Sequence, residues 1–233
     1  MVVNMCICFN KNHNNLIQEN NQLKEDYNNA KIEIEELQAD LKNLEQDENM
    51  TKKPEWLDDT IYPYKPFISI EEGKYTLDDP RDIYTESLTL RSIANKWKNL
   101  TFNQKLMNIW YFVIDALTYA YDVNEDWQFP QVTYYRKLGD CEDGTILFIT
   151  LCKLTGIKAD SVFNSCGWYH EGTNKYGHSY PIAKMEDGFW YIFESTLNTK
   201  PINPKLFKDS NYDASWGVCN WKYYGKIIGG DQI

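Results

Sequence analysis

The sequence predicts an α+β fold, with helices first, an antiparallel sheet after them, and a coiled-coil helix ahead of both. Three observations carry this reading. Apolar residues recur at helical spacing from Leu88 to Leu154, switch to a period of two from Ile157, and follow heptads from Leu16 to Leu44. Helices and strands segregated along a chain in this way pack as a layer of helices on an antiparallel sheet.

At 233 residues the chain holds one sizeable domain plus an appendage. The boundaries fall at a flexible N-terminus (1–14), a coiled-coil helix (15–48), a linker and extended arm (49–80), and a folded domain (81–233). A hydrophobic content of 42% with 15% aromatic residues is enough for a packed core. The net charge of −10 excludes the basic stripe that nucleic acid requires and disfavours docking on anionic membrane. Six cysteines without a disulfide rhythm point to a reducing compartment, hence the cytoplasm. No apolar run is long enough to span a bilayer, and Met1–Phe9 lacks the basic start of a secretory signal.

Leu16, Leu23, Ala30, Leu37 and Leu44 recur every seven residues, with Asn20, Tyr27, Ile34 and Leu41 four residues after the first four. That is the seam of a coiled coil, and Asn20 within it favours a dimer of fixed register, so residues 15–48 are expected to self-associate. Charges and Pro54 mark residues 46–60 as linker, and Pro63, Pro66 and Pro80 mark an extended arm lying on the domain. One helix is predicted from Leu88 to Leu100. A capping box from Thr101 to Gln104 starts a second, which runs to near Tyr121. A third starts at Asp140, with Asp143 three residues on. It is apolar around most of its circumference (Ile146, Leu147, Ile149, Cys152, Leu154) and stops at Gly156. Strands are predicted at Ile157–Phe163, Ser179–Met185 and Phe189–Phe193, and the aromatic segment from Trp216 to Tyr223 either adds a strand or covers the sheet.

Cys141 stands in the first turn of the third helix, where unpaired N–H groups and the helix dipole favour a thiolate. Glu142 and Asp143 pull the other way, so the site needs a nearby cation, and a histidine is the obvious one. The chain has three histidines. His13 lies beside the coiled coil. His170 follows Trp168-Tyr169 in a loop, which makes it a weaker acid/base and a candidate cleft residue. His178 follows Gly177 at the start of a strand. Cys166 and His170 have no second ligand pair to complete a zinc site, and no acidic loop has calcium-site spacing, so no metal or other cofactor is expected.

Three motifs in order then carry a resemblance: Gly139-Asp140-Cys141-Glu142-Asp143, Gly177-His178, and a Gly188-Phe189-Trp190 strand that ends at Glu194 before Ser195-Thr196. Together they resemble the transglutaminase-like superfamily of papain-fold cysteine enzymes, in particular its bacterial and phage-type cysteine peptidases. The similarity runs from about Leu88 to Asn198 and includes Trp127, Pro130 and Thr133 ahead of the cysteine. It implies a papain-like, transglutaminase-like core with Cys141 as nucleophile, His178 as acid/base and Glu194 as the orienting carboxylate, where relatives more often carry Asp. It also implies an oxyanion site made by the Cys141 N–H and a side-chain donor from Trp127, Gln128 or Gln131, with Asp140 and His170 as further substrate-side candidates. The expected chemistry is cleavage of a peptide or amide bond through a thioester, with water favoured as acceptor over an amine. The alternative is a structural or binding protein, associated with a virion, whose domain is a relic or a self-processing device.

The turn at Asp187-Gly188 bears on this triad. A three-residue loop, Glu186-Asp187-Gly188, sets Met185 opposite Phe189, Tyr180 opposite Glu194 and His178 opposite Thr196. His178 and Glu194 then share a face as diagonal neighbours, roughly 7–8 Å apart at the backbone. A two-residue loop would put them on opposite faces. The triad therefore predicts the longer, bulged turn.

Overall fold

The computed structural model describes Lys31 and residues 57–58, 67–70, 73–76, 79–121, 127–197 and 200–227. The predicted coiled coil, Lys31 apart, and the turn at 122–126 lie outside the described residues. The others fall in one compact unit that starts at Lys52.

Ser87 caps helix α1 (Leu88–Asn95), its Oγ accepting the Leu90 N–H at 3.3 Å. The predicted continuation to Leu100 is instead a run of turns. There the Trp97 N–H reaches Ala94 O and the Leu100 N–H reaches Trp97 O, the short-range pattern that tightens and ends a helix. Helix α2 (Phe102–Ala116) has both bonds of the predicted capping box, Thr101 N–H to Gln104 Oε1 (3.1 Å) and Gln104 N–H to Thr101 Oγ1 (3.4 Å). It stops short of Tyr121 because β4 (Thr118–Tyr119) turns extended and pairs in parallel with β5 (Leu138–Gly139). Between them lies α3 (Pro130–Arg136), started by a proline in its first turn.

Helix α4 (Cys141–Leu154) is the centre of the core. Ile146, Leu147, Phe148, Ile149, Leu151 and Cys152 are all fully buried. An apolar surface on every side is what a helix needs when it packs at once against α1, α2, α3 and the sheet strands β6 (Val162–Glu171) and β7 (Asn174–Lys184). It ends as predicted at Gly156, which takes a φ of 77° that other residues rarely adopt.

Among the described residues, seven strands form one sheet in the order β1-β11-β10-β6-β7-β8-β9, every neighbouring pair antiparallel. The long hairpin of β6 (Val162–Glu171) and β7 (Asn174–Lys184) dominates it. This corrects two readings. The chain from Ala159 to Ser161 is a 3-10 turn rather than strand, and the strand continues through His170, for which the sequence predicts a loop. The reason is the two-residue turn at Gly172-Thr173, which sets the Tyr169 and Tyr176 rings stacked across the ladder at 6.5 Å.

The turn from β7 to β8 (Trp190–Ile192) is the predicted bulged one. Gly188 has φ 87°, the Met185 N–H reaches Phe189 O at 3.0 Å, and Lys184 pairs with Trp190. The edge strand β9 (Lys205–Leu206) and the inner strands β10 (Gly217–Cys219) and β11 (Tyr224–Ile227) come from the C-terminal segment, so the aromatic stretch does add to the sheet. Composition assigned Leu57–Asp58 to the linker. They instead form β1, paired with Ile227 and Lys226, and Leu57 is buried. Where an extended arm was expected, β2 (Phe67–Ile70) and β3 (Gly73–Thr76) make a small hairpin. The sheet separates two apolar clusters, one with the helices and one built on Phe163, Tyr180, Ile182, Trp190 and Tyr223.

Candidate active site

Asp143 ties down the start of α4. Its carboxylate accepts the Asp140 N–H (3.4 Å) and the Gln128 N–H (2.8 Å), and the Gln128 side-chain amide as well. Burial pushes this carboxyl up to about 7, against the pull of the Gln128 N–H. Cys141 is therefore held at a fixed helix start, half-buried. Its thiol donates to Glu142 Oε2 at 3.2 Å. Burial, then the Glu142 and Asp140 carboxyls, push the thiol well above its ordinary value, and a hydrogen bond from the Ser179 backbone pulls it down. Glu142 is itself pushed up to about 10, by burial and then by the charge and hydrogen bonding of Asp140. The surroundings of the helix start thus work against the thiolate that the helix dipole alone would favour.

His178, on β7, presents Nε2 to Glu194 Oε2 at 2.8 Å. Both side chains are largely buried, 16% and 11% exposed, which makes this contact far stronger than a surface pair. With Nε2 engaged, Nδ1 is the ring nitrogen left to serve a thiol. Glu194 has every acceptor direction filled. Oε1 takes the Thr196 N–H (3.0 Å) and Thr196 Oγ1 (2.7 Å), and Oε2 also takes the Tyr212 hydroxyl (2.9 Å). Its backbone oxygen accepts the buried Trp110 indole N–H at 2.7 Å. Burial alone would raise the Glu194 carboxyl, but His178 and Thr196 outweigh it and hold it below its usual range.

Cys141 and His178 open on one cleft of about 550 Å³, walled by Trp127, Tyr176 and Trp216 with Lys175 at the side. Of the three proposed oxyanion donors, Trp127 lines the cleft. Gln128 is committed to Asp143, and Gln131 accepts the Thr85 hydroxyl at 2.9 Å. Asp140 is buried at the helix start. His170 was expected at the cleft. It pairs instead with Asp213 at 3.0 Å, half-exposed near the end of β6. The first helical turn brings one ligand atom each of Asp140, Cys141 and Glu142 within 4.8 Å of one another, so these residues could hold a cation. Sequence reasoning missed Tyr212, Trp216, Lys175 and the Ser179 N–H. The aromatic character of the last segment was the one signal for the first two.

The Cys141 thiol at the head of the buried helix and the Glu194-held His178 ring on the adjoining sheet thus line one cleft. In comparison with known proteins, residues 89–195 match the model of the Transglutaminase-like superfamily, and the chain carries a transglutaminase-like domain. EGTA-treated LapG of Legionella pneumophila superposes with a TM-score of 0.51 at 12% identity, covering 66% of this chain and 86% of LapG, and so shares the fold. The calcium-bound form of LapG gives a TM-score of 0.49 at 14% identity, over 63% of this chain and 83% of that one. A proposed cysteine protease from Cytophaga hutchinsonii gives 0.37 at 20% identity, over 52% and 43%. A search of curated protein sequences gives no match.

Proposed function

We propose that the protein is a cysteine-dependent hydrolase or acyl transferase of peptide or amide bonds, with hydrolysis favoured. The observation that carries this reading is the shared cleft, in which the Cys141 thiol and the Glu194-held His178 ring both face a space large enough for a peptide segment. His178 takes the thiol proton as sulfur attacks the carbonyl carbon. The C–N bond then breaks, the departing amine takes that proton, and a thioester to Cys141 remains. Water gives a proton to His178 and attacks the thioester. The C–S bond breaks, the acid leaves, and the proton returns to sulfur. The Cys141 N–H and the Trp127 side of the cleft are where the oxyanion would be met.

The test is alkylation by iodoacetamide at neutral pH, read by peptide mapping, together with turnover of a fluorogenic peptide library. Cys141 is expected to react well ahead of Cys152 and of free cysteine, and Cys141→Ala to abolish turnover. A Cys141 no more reactive than free cysteine, in a chain that turns over no peptide, favours the structural or binding reading. The thiol's hydrogen bond to Glu142 is the observation that keeps that second reading in view.

We also propose that a divalent cation binds at the start of α4. The donor set fits, since Glu142 is buried with no hydrogen-bond partner for Oε1 among the described residues, and a carboxylate oxygen of Asp140 lies within 4.8 Å of one of Glu142. Asp140 and Glu142 would hold the ion, and its charge would keep both carboxylates ionised and draw Cys141 toward the thiolate. Calcium is the probe. Alkylation of Cys141 is expected to slow in EGTA and recover with calcium, and Glu142→Gln to remove the response. Equal rates with and without calcium would sink the idea.

A further inference from the structure

Glu has one more rotatable bond than Asp, so a Glu at the end of β8 needs more to hold it in line with an imidazole. The structure supplies that hold from a distant segment. Residues 211–216 run beside β6 and hydrogen-bond to it three times: His170 N–H to Asn211 O (2.8 Å), Asp213 N–H to Trp168 O (2.9 Å) and Trp216 N–H to Cys166 O (3.0 Å). The Asp213 carboxylate pins the segment further, accepting the Trp168 N–H (3.0 Å) and pairing with His170. The approach is close. A Cβ at Gly167 would sit 1.9 Å from Asp213 O, and one at Gly177 would sit 2.7 Å from the Trp216 ring.

Tyr212 rides on this strap. Its ring is fixed by Tyr180 (4.8 Å), Tyr169 (4.9 Å) and His178 (5.7 Å), and its hydroxyl reaches the same Glu194 oxygen that His178 occupies. Burial and then the Glu194 carboxylate push the phenol well above its ordinary range, so it stays a donor. A tyrosine serving only as packing has no need to aim its hydroxyl at a buried carboxylate.

We propose that Tyr212 is a positioning residue for the candidate triad, its hydroxyl fixing the Glu194 carboxylate in the orientation that holds the His178 ring. The inference rests on the catalytic reading above. Tyr212→Phe keeps the ring and removes only the oxygen. The test uses the full chain labelled with 15N-histidine, whose three imidazoles are resolved by NMR, with His178 assigned by His178→Gln. Tyr212→Phe is expected to shift the His178 ring N–H resonance and to slow Cys141 alkylation about tenfold, with little change in melting temperature. In a Glu194→Gln background it is expected to slow alkylation no further, because Tyr212 acts through Glu194. Tyr169→Phe, which alters a neighbouring ring that does not reach Glu194, serves as control and leaves the rate unchanged.

A Tyr212→Phe that lowers the melting temperature yet leaves both resonance and rate in place overturns the proposal. So do effects that multiply in the double variant. Wild-type Cys141 reacting no faster than free cysteine would instead take the catalytic reading down with it, whereas a reactive wild type with a silent Tyr212→Phe removes this inference alone.

Discussion

Glu194 accepts four hydrogen bonds on its side chain, from His178, Tyr212 and twice from Thr196, and is 8% exposed. Its charge is therefore tied to three neighbours in the fold. Its carboxyl lies below the ordinary 4.5 in the folded state, so between that value and the folded one the unfolded chain binds more protons. The stability it contributes is full above about 4.5 and is lost as pH falls through the folded value. Glu194→Gln should therefore flatten the fall in melting temperature as pH drops below the ordinary 4.5. An unchanged acid limb would show that the carboxylate's partners do not favour its charged form. Glu194→Asp shortens the side chain by one methylene and withdraws the Oε2 position from both His178 and Tyr212. It should slow Cys141 alkylation about tenfold, since the backbone register leaves roughly 7–8 Å to be spanned.

Among the elements, the turn between β7 and β8 sets the site's geometry, because a slip of one residue would send His178 and Glu194 to opposite faces. Gly188 holds that turn at φ 87° with open space around its Cβ position, so a substitution there is opposed by backbone conformation and not by crowding. Gly188→Ala should cost about 1–2 kcal/mol in chemical denaturation, the penalty of a left-handed residue with a Cβ. A neutral result would mean that the turn relaxes to another form, and the His178 environment should then change with it. Helix α4 raises a different problem. Its dipole favours a thiolate, yet burial and two carboxyls override it, a reversal that follows from how deep the helix start lies.

At the scale of the molecule, the helices and the sheet meet at the head of α4, and the strap at 211–216 closes the far side of the site over β6. We propose that residues 15–48 carry this domain into an oligomer, on the strength of their heptads. Sedimentation velocity of the full chain is expected to give at least a dimer, and a monomer at micromolar concentration would rule that out.

Sequence and structure contributed different things here, for a physical reason. Local signals survive folding because they act within a few residues: the Thr101–Gln104 box, the Gly156 stop, the apolar girth of α4 and the bulged turn at Gly188 were all legible. The motif order gave the superfamily, and the turn gave the face shared by His178 and Glu194. Contacts between residues far apart in sequence have no such local signature. Nothing near Leu57 announces a strand whose partner is Ile227, and nothing near Tyr212 announces a carboxylate at 194. The upward push on the Cys141 thiol belongs with these, since desolvation depends on what the rest of the chain packs around the sulfur. The amino-acid sequence determined the elements and the identity of the chemical groups. Only the tertiary structure decided their burial, their partners and their charge, because those depend on distances that are set when remote segments close on one another.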